Sequence, residues 1–102
     1  MSKQQYAVIF TSKLRDDAIE YGEVGQQMDE KMRTYDGFVS FESVRGADGF
    51  GITVCIWESL EALQAWKKDV DHQEAQRRGK QEWYEYYNVR VAKIEYEYDG
   101  SK

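Results

Sequence analysis

The sequence has no proline, a single cysteine and a single histidine in 102 residues. One cysteine, Cys55, excludes an internal disulfide framework, and with only one histidine beside it a conventional zinc site has too few ligands, so no metal site is expected. No apolar run approaches the roughly 18 residues that a membrane span needs, and Met1-Ser-Lys-Gln-Gln lacks the charged and apolar regions of a signal peptide. A membrane partner is therefore not expected, and an unpaired Cys55 in an apolar strand fits a reducing, cytoplasmic location. Basic residues are also in the minority, 14 Lys and Arg against 19 Asp and Glu. The resulting net charge of −5 argues against nucleic acid, whose phosphates need a positive surface. Flavin and nicotinamide fingerprints are absent. The glycines Gly46, Gly49 and Gly51 precede a strand rather than a helix, so they signal a hairpin and not a phosphate cradle.

What is present is aromatic mass: 8 Tyr, 4 Phe and 3 Trp, within a chain that is 41% hydrophobic. That composition folds and excludes a disordered tail. With no linker, repeat or proline to interrupt it, the sequence predicts one domain over residues 1–102 with a core spanning about 5–98.

Gln5 to Leu14 alternates as a strand, with Tyr6, Val8 and Phe10 on one side. Asp16 and Asp17 supply acidic helix-start residues, and Tyr21, Val24, Met28, Met32 and Tyr35 follow at helical spacing, predicting a helix over 16–35. Asp36-Gly37 breaks it. Phe38 to Arg45 and Phe50 to Trp57 read as two strands joined at Asp48-Gly49. Ser59 is the expected N-cap of a helix bearing Leu60, Leu63 and Trp66. Asp71 with Glu74 resembles a capping box that starts a second segment near His72, ending at Gly79. Tyr86 to Tyr98 reads as the last strand. The order predicts a ferredoxin-like βαββαβ fold of the α+β class, a four-stranded antiparallel sheet with helices on one face. Because the strands are apolar on both sides, the uncovered face, expected to carry Phe41 and Trp57, predicts a homodimer formed sheet against sheet.

His72 is the only side chain whose ordinary pKa lies near neutrality, which makes it the candidate acid or base. The alternative is a helix-start histidine facing solvent or held by a neighbouring carboxylate. On one unbroken helix, six residues turn through about 600°, so Trp66 and His72 would diverge. A break near Asp69 to Asp71 would bring them into one space. Trp83, Tyr84 and Tyr87 precede or open the last strand and suit either a core or the wall of a site for a flat aromatic ligand. Cys55 reads as core, and Arg77, Arg78 and Lys80 as a solvated helix face.

Several segments resemble the antibiotic biosynthesis monooxygenase family. They are Tyr6-Ala-Val-Ile-Phe-Thr-Ser, Gly49-Phe-Gly-Ile-Thr-Val with Trp57-Glu-Ser, Glu61-Ala with Ala65-Trp66-Lys, and His72-x-x-Ala75-Gln76-x-x-Gly79-x-x-x-Trp83-Tyr84-x-x-Tyr87. The resemblance implies a dimeric α/β barrel and oxygenase chemistry on a small aromatic, phenolic or quinol-type compound, with no cofactor. In that scheme His72 and Trp66 are catalytic and Trp83, Tyr84 and Tyr87 bind substrate; a cavity bordered by Trp66, His72 and Tyr87 would favour chemistry, a filled interior a structural role. In anthrone-oxidising members an Asn, a Trp and a Tyr act together. Trp66 matches the Trp, whereas Ala62 and His72 stand at the other two positions. Haem-degrading relatives place a His where this chain has Gln76. A non-catalytic dimer holding a hydrophobic metabolite and a haem-binding relative are the alternatives.

Overall fold

The computed structural model describes residues 4–18 and 21–100, without the side chains of Val70 and Asp71. The elements run β1 (Tyr6–Leu14), α1 (Tyr21–Met32), β2 (Phe38–Arg45), β3 (Phe50–Trp57), α2 (Leu60–Lys67), α3 (Val70–Arg78), a π-helical turn (Gly79–Trp83) and β4 (Tyr84–Lys93). The sheet order is β2-β3-β1-β4, and every pairing is antiparallel. This is the expected ferredoxin-like α+β arrangement, with three helices instead of two. No helix among the described residues is long and apolar enough to cross a membrane.

Several boundaries differ from the sequence reading, among them the end of the first helix, at Met32 rather than 35. The first helix, described from Tyr21, does not start near 16: Asp16 and Asp17 lie in a turn, where Asp17 pairs with Arg15 at 2.9 Å. Residues 19 and 20 lie outside the described residues. The last strand starts two residues early, at Tyr84, and its ladder ends at Lys93, after which Ile94 N–H still donates to Gln5 O. The second helical segment is capped by Asp69 and not by Asp71, whose side chain lies outside the described residues; the Asp69 carboxylate accepts the His72 N–H at 3.1 Å. Glu74, the other half of the expected box, pairs instead with Arg77. Ser59 caps α2 as expected, accepting the Ala62 N–H at 3.1 Å.

Cross-strand register fixes the faces. Tyr6 pairs with Trp57, Val8 with Cys55, and Phe41 with Cys55 from the other side. This set faces the helices, where Trp57 is fully buried among Met32, Cys55, Leu63 and Trp66, with Tyr6, Phe38 and Phe41 against them. The expectation that Phe41 and Trp57 lie on the uncovered face is therefore wrong. Period-two alternation groups residues by face but does not say which face the helices take. The uncovered face instead carries Ile9, Val44, Phe50, Ile52, Val54 and Ile56, with Val44 73% exposed. Cys55 belongs to the core as read: its thiol contacts Met32 Sδ at 3.4 Å, and burial pushes it up to about 11.

Gly37 makes the turn into β2 with φ +86°, and a Cβ there would fall 2.5 Å from the Ala62 Cβ. Its carbonyl also accepts the Glu58 N–H at 2.7 Å, which pins the start of α2 against this turn. Gly25, within α1, has nothing near its missing Cβ. Gly37→Ala is expected to cost about 1–3 kcal/mol, whereas Gly25→Ala should stabilise by about 0.5–1 kcal/mol. Urea denaturation of the two variants beside wild type checks the opposite signs.

Candidate functional site

α2 ends at Lys67, two residues carry the chain through the break, and α3 begins at Val70. Asp69 organises this break. Its carboxylate accepts the His72 N–H, takes the Tyr35 hydroxyl and pairs with Lys31 Nζ at 3.1 Å, while its side chain is only 7% exposed. The Tyr35 hydrogen bond, above all, holds the Asp69 carboxyl down at about 2; the His72 N–H and Lys31 add to this against the effect of burial. Residues from α1, the turn after it and α3 are thus tied to one anion.

The break turns His72 back onto Trp66. Their rings stack with centroids 4.3 Å apart and planes at 14°. His72 Nδ1 lies 3.1 Å from the Trp66 carbonyl oxygen. A carbonyl can only accept, so Nδ1 carries the proton and the neutral ring keeps its lone pair on Nε2. Burial holds the His72 pKa below its ordinary value, opposed by the Trp66 carbonyl and the Asp69 charge. Trp66 is itself buried, with the Tyr35 ring edge-on at 5.1 Å. It works as the platform on which His72 is positioned.

Trp83, Tyr84 and Tyr87 form a second group, joined by Phe10 and Tyr21. Phe10 meets Tyr84 edge-on at 5.4 Å and stacks with Tyr87 at 6.2 Å; Tyr21 meets Trp83 at 5.5 Å and Tyr84 at 5.9 Å, both edge-on. The Arg78 guanidinium covers Trp83 at 5.1 Å, so that part of the basic run is occupied with a ring. Burial pushes the Tyr84 phenol well above its ordinary range, and its neighbour Tyr21 acts the same way.

These two groups do not border one cavity. Trp66 packs under Trp57, at the strand end where Trp57 pairs with Tyr6. Tyr87 pairs with Ser12, six residues further along β1, about 20 Å away at strand rise. Between them on the helix side of the sheet lie Val8, Phe10, Val89 and Val91, with Val89 49% and Val91 54% exposed. The arrangement is an apolar strip along β1 and β4, with His72 near one end and Tyr84 and Tyr87 at the other. Two hollows elsewhere hold about 210 Å³ by Val44, Phe50 and Ile52 on the uncovered face, and about 360 Å³ by Gln64, Lys67 and Gln73 outside α2 and α3.

Sequence reading anticipated a break near Asp69 to Asp71 that brings Trp66 and His72 together but gave Asp69, Tyr35 and Lys31 no joint role, since that depends on contacts more than thirty residues apart. Tyr21 was legible only as an apolar helix position.

Because the fold depresses the His72 pKa, its contribution to stability is full above the unfolded value of about 6.5 and is lost as pH falls through the lower folded value. Wild type should therefore lose stability between pH 7.5 and 5, and His72→Phe should lose less over the same interval. Denaturation midpoints at both pH values measure the difference. The contribution of Asp69 is full above its ordinary value of about 3.8 and is lost only below it, outside that window.

The pattern of the family described as antibiotic biosynthesis monooxygenase matches residues 6–78. A Bacillus subtilis protein, YqjZ, itself uncharacterised, is 44% identical over 90 residues, covering 88% of this chain and 79% of its own. Among solved structures, SnoaB, a cofactor-independent oxygenase from Streptomyces nogalater, superposes with TM-score 0.72 at 9% identity, covering 94% of this chain and 96% of its own. Rv0793 from Mycobacterium tuberculosis superposes with TM-score 0.76 at 19% identity, covering 96% and 99%. At such identities the two structures speak to the fold alone.

Proposed function

The chain belongs to the antibiotic biosynthesis monooxygenase family, and from that premise we propose that it is a cofactor-independent monooxygenase acting on a small aromatic, phenolic or quinol-type compound. The observation that carries the reading is His72: neutral, fixed in one tautomer by the Trp66 carbonyl, and held in place by the Trp66 ring.

A ring with its proton on Nδ1 offers Nε2 as a base. An electron-rich phenol or anthrone gives a proton to Nε2 and becomes an anion. The anion passes one electron to dioxygen, leaving a substrate radical and superoxide. Their combination forms a C–O bond, and the peroxide takes up a proton. For an anthrone-type CH₂ the O–O bond then breaks with loss of the second hydrogen, giving a ketone and water, so that both oxygen atoms and four electrons are accounted for. The reacting ring is assigned to the apolar floor of Val89 and Val91 on the His72 side, and Tyr84 and Tyr87, with the buried Trp83 behind them, to the far end of the strip. The family match and the fixed tautomer of His72 support this choice over a passive binding dimer.

Oxygen uptake with anthrone and hydroquinone substrates tests the assignment. His72→Ala is expected to lower turnover by roughly 10²–10⁴-fold, the usual contribution of a positioned base. Turnover equal to wild type would remove His72 from the role.

The uncovered sheet face is assigned to a second copy of the chain. Val44, Phe50, Ile52 and Tyr86 are each close to half exposed or more and lie beside Ile9, Val54 and Ile56, an apolar surface wider than a monomer ordinarily leaves in water. Light scattering at micromolar concentration should give twice the 12.0 kDa chain mass, and Ile52→Lys should shift it toward the monomer. A wild-type monomer would contradict the assignment.

A further inference from the structure

Strand register lays the side chains of the uncovered face out in rows. Ser40, Ile56, Ala7 and Ala92 form one row, and Val44, Ile52, Thr11 and Asn88 another. Between these two runs a third: Glu42 on β2, Val54 on β3, Ile9 on β1 and Arg90 on β4. β2 and β4 are the edge strands, so this row begins on an acid and ends on a base, with two aliphatic residues between them. At the usual strand spacing the two charged positions stand about 14 Å apart. Among the described residues Glu42 and Arg90 are exposed and hold no ion pair. Lys13, the other charged strand residue on this face, is already held by Glu85 at 3.2 Å and lies over the Phe50 ring.

Two aligned sheets related by a two-fold axis in their interface have two arrangements open to them. An axis across the strands lays β2 on the partner's β2 and β4 on the partner's β4. It brings no acid opposite a base, and at matched height it sets like charge against like. An axis along the strands lays β2 on the partner's β4 and keeps every row at its own height. Glu42 of each copy then faces the partner's Arg90, twice by symmetry, and the aliphatic residues of the row meet in the middle. Packed sheets lie about 10 Å apart, a gap that a glutamate and an arginine together span. Across an interface, opposed like charges are costly, whereas complementary ones fix register and suppress the wrong pairing.

We propose that two copies of the chain pack sheet on sheet about an axis along the strands, with Glu42 of each copy paired to the partner's Arg90. The proposal rests on the assignment of this face to a second copy and adds the orientation of that copy. Glu42 and Arg90 select the orientation, while the apolar rows between them supply the buried area.

Charge reversal separates orientation from association. Sedimentation equilibrium gives the dimer dissociation constants of wild type, Glu42→Arg, Arg90→Glu and the double variant. Each single reversal sets two like pairs across the interface and should weaken the dimer about tenfold or more at low salt. That deficit should shrink at high salt. The double variant restores complementary pairs and should return to within about threefold of wild type. A short bismaleimide reads the geometry independently, since Cys55 is buried. Glu42→Cys/Arg90→Cys should cross-link into dimers, and Glu42→Cys alone should not. Single reversals as tight as wild type, a double variant no tighter than the singles, or cross-linking of Glu42→Cys alone would overturn the orientation and leave the sheet-face dimer standing. A wild-type monomer would overturn both.

Discussion

The Asp69 carboxylate receives protons from three places at once: the Tyr35 hydroxyl beyond the end of α1, the Lys31 ammonium within it, and the His72 backbone N–H in the first turn of α3. Without an anion there, the His72 backbone N–H would lose its cap, and the ties to Tyr35 and Lys31 that help fix the angle at which α3 departs would be lost. That angle decides where the His72 ring lies. Trp66 precedes the break and His72 follows it, so the stacking of the two rings and the hydrogen bond from Nδ1 to the Trp66 carbonyl are consequences of the cap.

The sheet divides the remaining work between its faces. On the helix side, the Trp57 end is closed by Met32, Leu63 and Trp66, which makes it the core, while the Tyr87 end is left polar and aromatic around Arg45, Ser12 and Tyr21. The strip of Val89 and Val91, each about half exposed, runs between the two ends along the edge strand β4. A ligand on this strip lies between the base at one end and the rings at the other. The opposite face carries its own apolar residues, Val44 and Ile52 among them, suited to contact with another sheet.

Much of the fold was legible because turns punctuate the chain. Asp36-Gly37 and Asp48-Gly49 bracket β2 and β3, whose bounds match the alternation to the residue. The stacking of Trp66 with His72 was legible too, since six residues of one helix could not give it and a break could. Its cause was not: Asp69 and Asp71 both look like caps, and only contacts with Tyr35 and Lys31, remote in sequence, distinguish Asp69. The side taken by Trp57 was equally hidden, because both faces of β3 are apolar and alternation has no handedness. The placement of Tyr87 depends on the register of β4 against β1, and β4 carries aromatic or aliphatic residues at both parities, so no pattern excluded a position beside His72. Arg45 reaches across Gly51 to Ser12 over 33 positions of sequence. A glycine opposite an arginine in paired strands is the only trace such an arm leaves.

The account turns on one side chain being a base of fixed tautomer at neutral pH. Long-range ¹H–¹⁵N NMR of the single histidine reads this directly, since the two ring nitrogens resonate far apart when only one is protonated. At pH 7 the His72 spectrum should be that of a neutral ring with the proton on Nδ1 and an unprotonated Nε2, titrating below the ordinary value of about 6.5. A ring protonated on Nε2 instead, or one already charged at pH 7, would contradict it.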